Sequence, residues 1–134
     1  MATFGAAVAS ATYAADALKA VDDIMESSAA WSTELEHENK PPLKVGAAVA
    51  TGRIIFGAVG DESRMEYTVI GDAVNLSAKL EKHTKSESVR ALCTKAAFDI
   101  AMRQGYQPPA NREQRKARRI EGVDTAVDIV ILAP

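Results

Sequence analysis

Tyr67-Thr68-Val69-Ile70-Gly71-Asp72-Ala73-Val74-Asn75-Leu76-Ser77-Ala78-Lys79-Leu80-Glu81 carries more structural information than any other part of this 134-residue chain. Tyr67, Thr68, Val69 and Ile70 are strand formers, and Gly71 after them tolerates a sharp turn. Asp72 suits an N-cap, its carboxylate accepting from the free amides of a first helical turn. Helical spacing follows, with Leu76 and Leu80 on one face and Asn75 and Lys79 on another at i, i+4. An amide and an ammonium near a helix N-terminus suit a polyanion. An ordinary amphipathic helix with a solvated Lys79 produces the same pattern, because such polar pairs are common.

Upstream, Val45-Gly46-Ala47-Ala48-Val49-Ala50-Thr51-Gly52 leads to Gly57-Ala58-Val59-Gly60. Together with the Tyr67–Glu81 run, this resembles the class III nucleotide cyclases, which convert a nucleoside triphosphate to a 3′,5′-cyclic monophosphate. The resemblance implies roles for particular positions. Asn75 falls where the family's asparagine orients the ribose. Lys79 falls where an arginine stabilises the pentavalent phosphate. Thr68 falls on the base-contacting residue, and threonine there accompanies adenine specificity; the backbone of Val69 lies against the base edge. Lysine at position 79 departs from the pattern, since it keeps the charge but loses the planar fork that grips two phosphate oxygens.

Two further departures weaken the polyphosphate end. Arg119-Ile120-Glu121-Gly122-Val123-Asp124 resembles the family's late strand-turn segment, but Glu121 stands where a lysine approaches the terminal phosphate, and a carboxylate there repels it. Arg118 or Arg119 could substitute, although neighbouring residues in a strand face opposite ways. Arg64 is another candidate for phosphate contact, with an ion pair to Asp61 or Glu62 as the plainer alternative. Met1–Gly5 resembles the strand that follows the family's second metal-binding segment, so both metal-binding aspartates and the base-reading lysine are expected to lie outside this sequence. The family's chemistry uses Mg²⁺ or Mn²⁺. Asp16, Asp22 and Asp23 have solvent-facing helical spacing and Asp61-Glu62 lies in a turn, so no metal ligands are assigned here. The chain is expected to be inactive alone.

Composition fits one globular domain: 47% apolar, 25% charged, net charge −2. That balance steers it to neither nucleic acid nor membrane. The cluster Arg112, Arg115, Lys116, Arg118, Arg119 has no interleaved aromatic residues for base stacking, so no nucleic-acid partner is expected. Cys93, the single cysteine, sits among apolar neighbours and reads as a buried reduced thiol. His37 and His83 make no metal-ligand spacing. The apolar run Val45–Val59 is broken by glycines and Arg53 and is too short to span a bilayer, and a signal peptide is not expected at Met1. Cytoplasmic location is the expectation.

Along the chain the expected order is the end of a strand at Met1–Phe4, a helix from about Ala6 to Glu38 with a stripe through Val8, Ala11, Ala15, Leu18, Val21 and Met25, and strands Leu43–Val49 and Arg53–Val59. A polar turn at Gly60–Glu66, which in the family forms part of the dimer contact, precedes the strand and helix of the central run, the helix ending at His83. Strand Ser88–Cys93, helix Lys95–Gln104 and strands near Arg115–Glu121 and Ala126–Leu132 complete it. By resemblance, residues 1–134 form a single, partial α+β domain of the ferredoxin-like cyclase catalytic fold, lacking its first strand, first helix and second strand. Such a sheet leaves unpaired edges, so dimerisation, element swapping or marginal stability is expected. The implied function is conversion of ATP, with GTP left open, to cyclic AMP and pyrophosphate in a site shared by a homodimer or a heterodimer with another cyclase domain, serving intracellular signalling. The alternative is a non-catalytic cyclase-like dimerisation or regulatory module.

Overall fold

Two short apolar runs build the centre of the molecule. In the computed structural model, which describes residues 1–134, these are β4 (Ala91–Thr94) and β6 (Val127–Ala133), paired antiparallel. Successive strand residues point to opposite faces, and here both faces are covered. Ala91, Cys93, Val130 and Leu132 join one core cluster with α1 (Tyr13–His37) and α3 (Lys95–Arg103). Leu92, Ile129 and Ile131 join a second with Leu80 of α2 (Asp72–Glu87) and Ile120. Strand β1 (Ala47–Val49) pairs parallel to β4, and β5 (Gln114–Arg118) pairs antiparallel to β6, giving the order β1-β4-β6-β5. The class is α+β, with helices on both faces of a mixed sheet.

Local chemistry sets the start of α3. The Thr94 hydroxyl caps α3 by accepting from the Ala97 amide at 3.1 Å. Helix α1 starts at Tyr13 rather than Ala6, and Val8 lies outside it, 78% exposed. Its cap is tertiary: Gln104 Oε1, at the end of α3, accepts from the Ala14 and Ala15 amides at 2.8 and 3.1 Å. No local pattern announces such a partner ninety residues away. Met1–Phe4 forms no strand, and only Ala47–Val49 of the expected Leu43–Val49 strand pairs. Asp72 is the first residue of α2, not its N-cap; Gly71 occupies that place. The Asp72 carboxylate still lies where the helix dipole favours negative charge. Asp22, expected in solvent, is held at 2.6 Å by Arg112 Nη2 and accepts from the Tyr106 hydroxyl at 2.5 Å.

The remaining strands form a separate two-stranded hairpin, β2 (Ile55–Asp61) and β3 (Arg64–Ile70). The expected Gly60–Glu66 turn shrinks to Glu62-Ser63, because both strands run further than their apolar patterning suggests. Asp61 Oδ1 closes the turn by accepting from the Ser63 amide and hydroxyl and the Arg64 amide. Those bonds, the Ser63 hydroxyl first, hold the Asp61 carboxyl below its ordinary range. No hairpin residue is fully buried.

Candidate functional site

The end of the hairpin opposite its turn leads directly into α2, and there the candidate site lies. Thr68 is paired with Gly57, and Val69 with Phe56. A side chain added at Gly57 would meet no atom within 4 Å, so the surface beside Thr68 is open. Gly71 then lets two segments approach closely: a Cβ there would stand 2.8 Å from the Arg53 carbonyl oxygen. This contact seats the first turn of α2 against Gly52–Ile54. Asn75, one turn in, is exposed and its amide has no side-chain partner within the chain. One turn further, Lys79 is half-buried, and its ammonium donates to the Gly122 carbonyl.

The Lys79 contact arises from packing. Ile120 is buried in the cluster with Leu80, which presses the segment after β5 onto α2. The chain then turns, the Val123 amide donating to the Ile120 carbonyl at 3.0 Å. Gly122 adopts φ +72°, the left-handed region that glycine enters freely, and a Cβ there would stand 3.3 Å from Lys79 Cε and Nζ. Thus Lys79, which departs from the expected pattern, meets the turn that carries the other departure, Glu121. Sequence spacing of more than forty residues hid that convergence.

Arg64 is placed elsewhere. It sits at the hairpin turn, four strand residues or roughly 13 Å from Thr68, and pairs with Glu66 at 2.6 Å rather than with Asp61 or Glu62. Arg118 is also committed, with Nε 2.7 Å from Glu87, leaving Arg119 exposed and without an ion pair. No three His, Cys, Asp or Glu side chains converge where a metal ion could be held, so the donor set present does not fit the divalent ions of cyclase chemistry.

No protein-family profile matches the chain. It is 38% identical over 80 residues to an uncharacterised protein of Mycobacterium tuberculosis, covering 60% of this chain and 15% of that protein. It is 31% identical over 90 residues to an adenylate cyclase of Anabaena cylindrica, covering 66% of this chain and 17% of that enzyme. The crystal structure of the guanylyl cyclase Cya2 superposes with a TM-score of 0.72 at 21% identity, over 96% of this chain and 61% of that one. The chain has the fold of a class III nucleotide cyclase catalytic domain. It spans about 15% of the length of the curated relatives it matches.

Within this cyclase fold, the far end of α2 is locked by arginines of the basic cluster between Arg112 and Arg119. The Glu87 side chain is 2% exposed and accepts from Arg115 at 2.8 Å, Arg118 at 2.7 Å and His83 at 2.8 Å. Burial alone would raise the Glu87 pKa, but the Arg118, Arg115 and His83 hydrogen bonds outweigh it and bring it down to about 2. Arg115 and Arg118 are three apart and should face opposite ways in a regular strand. A bulge reverses this: the register slips between them, and Ala117 takes φ +51° with its amide donating to Asp128 Oδ1 at 2.7 Å. The only readable signal for this lock was the i, i+4 pair His83–Glu87. The clamp fixes the helix that presents Asn75 and Lys79.

A cleft of about 640 Å³ lies between α1 and the Gln104–Arg112 segment, apart from the motif residues. Its Asp22, Tyr106 and Arg112 side chains are tied to one another, and burial, then the Asp22 bond, pushes the Tyr106 hydroxyl up to about 12. The motif residues Thr68, Asn75 and Lys79 face a more open surface, and we place the candidate site there. Cys93 is wholly buried, and burial raises its thiol to about 12, which removes it from any nucleophilic role near neutral pH. No helix is long and apolar enough to cross a membrane.

Proposed function

We propose that this chain supplies the nucleotide-recognising half of a cyclase site completed by a second cyclase domain, forming cyclic AMP and pyrophosphate from ATP. The observation that carries the proposal is the run Thr68–Gly71–Asn75–Lys79 folded as strand, tight turn and helix, with Asn75 unpartnered and Lys79 one turn beyond. In this reading Thr68 and the Val69 backbone meet the base, Asn75 orients the ribose, and Lys79 neutralises charge building on the reacting phosphate. Divalent metal ions, Mg²⁺ or Mn²⁺, come from the partner domain, so the chain alone is inactive. Cytoplasmic signalling is the setting we propose. Support for a dimer comes from the hairpin, where Ile55, Phe56, Val59, Met65, Tyr67 and Ile70 are 42–81% exposed.

The test is complementation: this chain is mixed with a full-length cyclase disabled in its asparagine-bearing half, with ATP and Mn²⁺. Cyclic AMP should appear with the wild-type chain and fall by about a hundredfold with Asn75→Ala, as expected when a positioning contact is lost. Equal restoration by Asn75→Ala would sink the site assignment. A second reading, a non-catalytic module that pairs with a true cyclase, is favoured by the engagement of Lys79 with Gly122 beside Glu121. Under it the mixture forms a stable complex but no cyclic AMP.

A further inference from the structure

We infer that this half-site, acting alone, holds a nucleotide by its base, ribose and one phosphate, and gains no affinity from a second and third phosphate. The inference deepens the reading of Thr68, Asn75 and Lys79 given above and rests on it.

Charge around Lys79 decides the matter. Its ammonium is already donated to the Gly122 carbonyl. The turn that supplies this carbonyl carries Glu121 and Asp124, both exposed and neither ion-paired, and follows Arg119, also exposed and unpaired. Within Lys79 and this turn, two cations and two carboxylates cancel. The other arginines of this segment are unavailable, since Arg115 and Arg118 are bound to Glu87 and Arg112 to Asp22. A single phosphate can displace the Gly122 carbonyl and take the Lys79 ammonium as a charge-assisted partner. Each additional phosphate adds negative charge beside Glu121 and Asp124, and the turn itself offers no further unpaired cation to meet it. Tight polyphosphate binding by other folds depends on such unmatched donors, which this turn lacks. The outer phosphates therefore depend on whatever cations a partner brings.

Isothermal titration of the wild-type chain in EDTA with adenosine, AMP, ADP and ATP, and with the guanine series, tests this directly. AMP, ADP and ATP should bind within about threefold of one another. ATP binding tighter than AMP by about tenfold or more would overturn the inference while leaving the nucleotide site intact. Failure of every nucleoside and nucleotide to bind would overturn the site and the inference together. Lys79→Met should weaken AMP and ATP by the same factor, about tenfold for one lost charge-assisted contact; a loss confined to ATP contradicts the inference. Glu121→Lys combined with Asp124→Asn, both at exposed turn positions, should shift preference toward ATP by at least about tenfold. An unchanged ratio in that variant, with its melting curve intact, would remove the electrostatic basis.

Discussion

The four-stranded sheet and the β2–β3 hairpin are made from similar residues and have opposite fates. In β4 every residue is buried, and in β6 the last five are. In the hairpin none is, although it carries valine, isoleucine, phenylalanine and tyrosine in comparable density. The hairpin's long-range contacts are essentially its own two strands meeting each other, whereas β4 and β6 each meet two neighbouring strands and helices on both faces. Strand propensity is thus satisfied in both regions, but only the sheet converts it into burial. A two-stranded ribbon by itself is marginal in water. Its exposed apolar surface is the observation behind the association proposed above.

The sharpest way to break the comparison is to cut both regions alike. Leu92→Ala, at a position 0% exposed between α2 and the sheet, should cost about 3 kcal/mol by lost transfer energy and cavity formation. Urea denaturation followed by circular dichroism measures it. A cost under about 1 kcal/mol would mean that the α2-side core is loosely packed.

Next in size is the clamp that ties α2 to β5. The folded Glu87 carboxyl titrates near 2 against an ordinary value of 4.5. A depressed carboxylate contributes stability that is present above pH 4.5 and lost as pH falls toward 2. Its contribution is about 2–3 kcal/mol. Wild type should therefore lose about that much between those pH values in urea titrations, and Glu87→Gln should flatten most of that slope. A parallel acid slope in the variant would show that other carboxylates govern acid unfolding.

Gly122→Ala should cost about 1–2 kcal/mol, because a side chain in the left-handed region is strained and its Cβ would stand 3.3 Å from Lys79 Cε. The same change should mobilise the 120–124 turn, visible as faster amide exchange at Val123.

Smallest in stability, and most informative about the hairpin, is Met65→Ser. At 68% exposure it should change the unfolding free energy by no more than about 0.5 kcal/mol. In sedimentation velocity it should instead weaken self-association. A hairpin that merely folds back on its own chain would leave the sedimentation profile unchanged.

Much of the fold is legible from periodicity. Helix α3 and strands β4 and β6 fall within a few residues of their expected positions, since their apolar residues repeat with the period of the element they form and their caps are local, as at Thr94. The candidate site is legible only as a string. Thr68, Asn75 and Lys79 stand on consecutive elements, so spacing alone orders them. Arg64, attractive by its neighbourhood in sequence, stands at the turn end of the hairpin, paired with Glu66 and apart from Thr68.

By itself, then, the amino-acid sequence determined α3, β4 and β6 to within a few residues, and the strand-turn-helix that carries Asn75 and Lys79. These depend on interactions within a few residues. Only the tertiary structure decided that Gln104 caps α1, that Ala117 bulges so Arg115 and Arg118 close on Glu87, and that Lys79 meets the turn bearing Glu121. Each of those joins residues about thirty to ninety positions apart, and side chains with several rotatable bonds take the partner that packing brings within reach. Local propensity chose the elements; burial of Ile120, Leu80 and Leu92 against one another chose where their charges would meet.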